Sequence, residues 1–175
     1  MKRVGLTEAD VVIGIAASGR TPYTISALEY ANEVGALSVS LTCNGDSEMA
    51  KVAQISIAPI VGAEVISGST RMKAGTAQKM VLNMISTAVM VKVGKVYQNY
   101  MVHVQPTNIK LVARAKNMIQ TISGVDEARA AELFDLSKGN VATAIVMESK
   151  KVDCETAEAA LAKAEGKVRQ AIELL

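Results

Sequence analysis

Tryptophan is missing from this 175-residue chain, and aromatic residues make up only 3% of it. The stacking platforms on which single-stranded nucleic acids rest are therefore absent. Cysteine is scarce: Cys43 and Cys154 stand far apart and in no metal-ligand spacing. They read as structural thiols of a reduced protein, not as a disulfide framework. Charge of one sign is lacking too, since 19 basic residues against 17 acidic ones leave a formal +2 at pH 7. So weak a field does not draw nucleic acid or a membrane surface, and any anion site has to be local. No long apolar run is present. The most apolar stretch, Met80 to Val93, is too short to span a bilayer and carries Asn83, Ser86, Thr87 and Lys92. It reads as a buried helix. The opening MKRVGLTEAD has charges where a signal peptide needs an apolar core, so the expectation is a cytoplasmic protein.

Apolar residues make up half of the chain, enough for a real core and a small appendage. Val11 to Ala16 is a continuous apolar run ending in small residues, as in a strand buried on both faces of a parallel sheet. The turn Ser18-Gly19-Arg20-Thr21-Pro22 follows, with Thr21 suited to cap a helix and Pro22 to open it. That helix runs to about Val34, its apolar face carrying Ile25, Leu28, Ala31 and Val34, and Gly35 stops it. Ser38 to Cys43 and Ile55 to Ile60 read as further strands, with a short helix near Met49 between them. Strands alternating with helices make an α/β fold with a doubly wound parallel sheet. A glycine- and hydroxyl-rich loop, Val61 to Arg71, leads into a long helix from about Met72 to Val93. That helix is apolar nearly all round and is expected in the core.

From about Asn108 the composition turns to Ala, Glu, Lys and Leu, and a repeat appears at an offset of 27 residues. Asp126, Gly139, Val141, Ala144 and Ile145 recur as Asp153, Gly166, Val168, Ala171 and Ile172. Each unit reads as a capped helix, a glycine turn and a second helix. The expected organisation is a sheet domain over 1–107 and a helical region over 108–175.

Two loops carry the polar chemistry. Ser18, Gly19, Arg20 and Thr21 lie at a helix start, where unpaired N–H groups and the positive end of the helix dipole stabilise an anion. Thr21 capping its helix and Ser18 filling a turn is the plainer alternative. Glu64, Ser69, Thr70, Arg71 and Lys73 cluster before the long helix as a second anion site. A Glu64–Arg71 pair bracing an N-cap explains the same residues.

Residues 62–79, GAEVISGSTRMKAGTAQK, resemble the signature of the N-acetylmuramic acid 6-phosphate etherases, a SIS (sugar isomerase) family related to the glucokinase regulatory protein. VVIGIAASGRTPY at 11–23 is similar to that family's sugar-phosphate loop, and the likeness runs on through Leu82-Asn83 and Gly94-Lys95. The resemblance implies a partial SIS sheet followed by a small UBA-like helical region. It implies a sugar 6-phosphate site formed by Ser18, Gly19, Arg20, Thr21, Ser69, Thr70, Arg71 and Lys73.

The activity implied is cleavage of the D-lactyl ether of N-acetylmuramic acid 6-phosphate to N-acetylglucosamine 6-phosphate and D-lactate. That reaction uses a base at C2 and an acid for the leaving lactate, and no metal or redox cofactor. The family's chains are longer, and by the resemblance their catalytic glutamates and first strands precede Met1. Glu64 is the one carboxylate within the signature, hence a catalytic candidate, though bracing the loop suits it better. The segment MVHVQPTN, 101–108, departs from the family's MVDVxxTN: His103 stands where aspartate is usual, and Pro106 is atypical. The expected partners are a sugar phosphate and either a second copy of the chain or a companion N-terminal fragment. A non-catalytic sugar-phosphate-binding regulatory module is the alternative from another class.

Overall fold

The computed structural model describes residues 2–175, which separate into two compact units, Met1–Ile85 and Ser86–Leu175. The division falls within a long helix, earlier than the change of composition at Asn108.

In the first unit three short strands, β1 (Val11–Ile15), β2 (Leu37–Leu41) and β3 (Ile55–Ile57), pair in parallel in the order β1-β2-β3. Helix α1 (Pro22–Glu33) joins the first pair and α2 (Glu48–Val52) the second, giving the expected α/β grammar. Residues of β2 alternate. Ser38 and Ser40 share the side of Gly14, whose Cα lies under Thr24 and Leu28 of α1. Valine, leucine and isoleucine fill the opposite side. Buried Ser38 is satisfied by donating to Asn32 Oδ1 at 2.6 Å and accepting from Gln54 N–H at 2.9 Å, which ties α1 and β2 to the entry of β3.

Two expectations fail here for one physical reason. β1 is not buried on both faces: Val11 is 56% and Ile15 43% exposed. Among the described residues β1 has a single neighbour, so it is a sheet edge. The long helix α3 (Lys73–Lys92) is also not a core helix, for only Ala74 and Gln78 are buried along it. Within this unit Met80 and Met84 stay exposed, left uncovered by a sheet of three short strands.

The second unit contains a two-residue hairpin, β4 (Val96–Tyr97) with β5 (Tyr100–Met101), and five helices. These are α4 (Ile109–Ser123), α5 (Glu127–Leu136), α6 (Val141–Lys150), α7 (Cys154–Lys163) and α8 (Val168–Leu174). Helix α6 is the hub, buried from Val141 to Glu148 and packed by α4, α5, α7 and α8. The 27-residue repeat is real structure. Asp126 and Asp153 cap α5 and α7 by accepting from Arg129 and Thr156 N–H, both at 2.8 Å. Gly139 and Gly166, each at φ +81°, turn the chain into α6 and α8. Ala144, Ile145 and Ala171 are buried and Ile172 half-buried against the same cluster.

The segment leading into α4 lies across both turns. Pro106 Cγ approaches within 3.3 Å of where a Cβ on Gly139 would sit, and His103 Cε1 within 3.6 Å of the equivalent point on Gly166. Pro106 and His103 are thus the residues that rest on the repeat's two turning glycines.

Candidate functional site

The carboxyl ends of parallel strands are where open α/β sheets place their ligands, because the loops diverge there and leave a crevice. All three strands contribute in this molecule. Ala17, Ser18 and Arg20 follow β1, Cys43 and Asn44 follow β2, and Val61 and Gly62 follow β3; with Glu64, Thr70 and Ala74 they line a cavity of about 270 Å³. Gly19 fixes the first loop, for at φ +67° any Cβ there would sit 2.4 Å from Ser47 Cβ and 2.9 Å from Thr42 Cγ2. Its carbonyl accepts from Met49 N–H at 3.0 Å, so the loop is pinned to the start of α2.

The two loops singled out in the sequence therefore meet, though not through every residue. Ser18, Arg20 and Thr70 line the cavity, while Thr21, Ser69, Arg71 and Lys73 are not among its walls. Thr21 occupies the N-cap position of α1 with extended backbone, but its hydroxyl makes no capping bond. Its carbonyl does that work, accepting from Thr24 and Ile25 N–H. Arg71 does not pair with Glu64. Its Nε donates to Ser69 Oγ at 2.9 Å.

Glu64 instead caps α3. Its two carboxylate oxygens accept from the N–H groups of Lys73 at 3.1 Å and Ala74 at 3.0 Å. These backbone hydrogen bonds, Ala74 first, hold its pKa below the ordinary glutamate range, with the Lys73 charge helping. The positive end of α3 is consequently occupied by a carboxylate of the chain itself, so an incoming phosphate does not find those donors free. A carboxylate so held is a weak base, which favours bracing over proton transfer for Glu64.

Cys43 and Asn44 escaped the sequence reading, although their place directly after a parallel strand was the available signal. Burial, aided by the Glu64 charge, raises the Cys43 pKa, and its thiol faces the Ala74 carbonyl at 3.8 Å. A thiol shifted in this direction stays protonated at neutral pH and forms part of the cavity wall. The cavity offers one guanidinium, one carboxylate, two hydroxyls and one amide, a set that suits a small oxygen-rich anion.

Comparison with known proteins identifies the domain that holds this cavity. Residues 5–88 match the SIS domain, and the N-acetylmuramic acid 6-phosphate etherase 1 of Enterococcus faecalis is 56% identical over 167 residues. The chain carries a SIS domain over residues 5–88. The Enterococcus match takes in 95% of this chain and 56% of the relative. N-acetylmuramic acid 6-phosphate etherases of Geobacillus sp. and Oenococcus oeni are 52% and 53% identical, covering 99% and 98% of this chain but 59% and 58% of their own length. The chain thus spans under three-fifths of the curated relatives it matches. The SIS match takes in β1 to β3 and most of α3, including every wall of the cavity. Among the described residues no helix is long and apolar enough to cross a membrane.

Proposed function

We propose that this chain is the sugar-phosphate-binding part of an N-acetylmuramic acid 6-phosphate etherase, acting in amino sugar catabolism in the cytoplasm. The observation that carries the proposal is the convergence of Ser18, Arg20 and Thr70 at the carboxyl ends of all three strands. The names of the relatives support the choice of substrate. In this reading Ser18 and Thr70 hydroxyls and the Arg20 guanidinium hold the phosphate, and Gly19 lets the loop approach it. Thr21, Ser69, Arg71 and Lys73 line the approach. The base at C2 and the acid for lactate come from polypeptide outside this chain, either a companion N-terminal fragment or the rest of a longer protein, and the working form is a dimer.

Calorimetry with glucosamine 6-phosphate tests the binding half of the proposal. Each hydrogen bond lost to a charged group costs about 1.5–3 kcal/mol. Ser18→Ala/Thr70→Ala is therefore expected to bind at least about tenfold more weakly, and equal affinity would remove both loops from the site. Lactate release from N-acetylmuramic acid 6-phosphate tests the rest. Turnover is expected only after a polypeptide matching the relatives' N-terminal part is added. Turnover by the chain alone would return Glu64 to the list of catalytic groups. A second reading, a regulatory module that binds the sugar phosphate without cleaving it, draws support from the capping role of Glu64. Binding without lactate release, even with that added polypeptide, would favour it.

A further inference from the structure

A larger cavity, about 580 Å³, lies wholly within the helical unit, between the strand-like segment through His103 and the glycine turn before α6. None of its walls is a carboxylate, whereas Lys95 and Lys138 both line it. Neither lysine forms an ion pair among the described residues. In a chain whose overall charge is nearly balanced, two lysines without an ion pair lining one concavity that has no acid among its walls make a local positive field.

The remaining polar walls are donors suited to oxygen. Thr107 and Gln105 line it, and Asn140, whose Oδ1 is engaged by the Thr143 N–H, retains its amide NH₂. His103 adds a directional group. Its Nε2 lies 3.3 Å from the Gly166 carbonyl, which only accepts, so Nε2 carries the proton. Burial, and after it the Lys95 charge, lowers its pKa, so the ring is neutral and Nδ1 is left as an acceptor. Met90 and Val104 complete an apolar wall, and the volume falls in the range of small-ligand sites.

We propose that this cavity is a second anion site, binding a small phosphate monoester through Lys95 and Lys138, separate from the cavity of the SIS domain. A phosphate carries nearly two negative charges at neutral pH, which matches two ammonium groups better than a carboxylate does.

The chain has a single histidine, so its imidazole Hε1 resonance is one assigned NMR signal at the wall of this cavity. At fixed pH and ionic strength, inorganic phosphate is expected to shift that signal saturably, and acetate is not. Lys95→Gln/Lys138→Gln is expected to weaken the response about tenfold, and Lys95→Arg/Lys138→Arg to keep it. Ser18→Ala, which alters only the SIS cavity, is expected to leave it unchanged. Both lysines are exposed, and the circular dichroism and thermal midpoint of each variant report whether the fold is kept. No saturable shift in the wild type, an equal response to acetate, or an unaltered titration in the Gln variant would overturn the proposal.

Discussion

The two units bury their apolar residues very differently. Among the described residues 25 hydrophobic side chains are buried, and 18 of them form one cluster in the helical unit, leaving seven for the sheet unit. The contrast is sharpest between two helices. α6, only 10 residues long, is buried from its first residue to Glu148, whereas α3, twice as long, buries only Ala74 and Gln78. Closure explains the difference. Four helices surround α6, but the three-stranded sheet, unpaired at both edges among the described residues, leaves Val11, Ile15 and Ile55 exposed, and with them Met80 and Met84 of α3. The helical unit supplies its own core; the sheet unit leaves large apolar side chains such as Val11, Ile55, Met80 and Met84 exposed.

The largest effects are therefore expected in the helical unit. Leu133 and Ile145 are fully buried in its cluster, and truncating either to Ala is expected to cost about 2–5 kcal/mol. Urea denaturation followed by circular dichroism measures this. A midpoint unchanged by Ile145→Ala would mean that the repeat does not stabilise the unit and would remove the asymmetry between the two halves.

Much of this was legible in the sequence, and the failures have a common cause. Periodicity and turn chemistry gave β1, α1, β2, α2 and β3 within a few residues, because each is fixed by its own apolar pattern, caps and glycines. The repeat was legible for the same reason: Asp126/Asp153 and Gly139/Gly166 act locally. What could not be read was which apolar face finds a partner. The Met80 to Val93 stretch has the composition of a core helix, yet burial depends on the width of the sheet beneath it, which is not a local property. In the cavity, Ser18, Arg20 and Thr70 meet from the two loops that the sequence singles out, but the role of Glu64 turns on a choice between Arg71 and the first N–H groups of α3 that spacing alone does not make. Cys43 and Asn44 were missed because they carry no motif, only a position at a strand's end.

Acidification offers a sharper probe of the same contrast. Glu148, nearly buried on α6, accepts from Arg129 Nε at 3.1 Å and Nη2 at 2.8 Å and from Lys151. The hydrogen bond from Lys151 first, and then that from Arg129, holds its pKa below the ordinary glutamate range against the opposing effect of burial. The folded state thus favours the carboxylate more than the unfolded chain does. Its contribution is present at neutral pH and is lost as pH falls through the lowered pKa. In the wild type, helical-unit stability is expected to fall on acidification, and Glu148→Gln is expected to flatten that fall while lowering stability at neutral pH. Parallel stability-versus-pH curves for the two proteins would show that the Arg129–Glu148–Lys151 group does not link α5 to α6 energetically.

The smallest effect is expected on α3. Met80 is 59% and Met84 67% exposed, so replacing both with Gln removes little buried area and is expected to change stability by no more than about 0.5 kcal/mol. Glutamine has a helix propensity close to that of methionine, which leaves the helix itself unaffected. The measurement becomes decisive when paired with sedimentation velocity. If the wild type associates through this face, Met80→Gln/Met84→Gln is expected to shift it towards the monomer with its circular dichroism unchanged. If instead the substitution destabilises the monomer by 2 kcal/mol or more, on the order of a core truncation, the methionines are packed within the chain and the sheet unit is as closed as the helical one. Only the first outcome agrees with a sheet unit whose apolar helix awaits a partner, and that partner is then identified by whether the added N-terminal polypeptide or a second copy protects the α3 amides from hydrogen exchange.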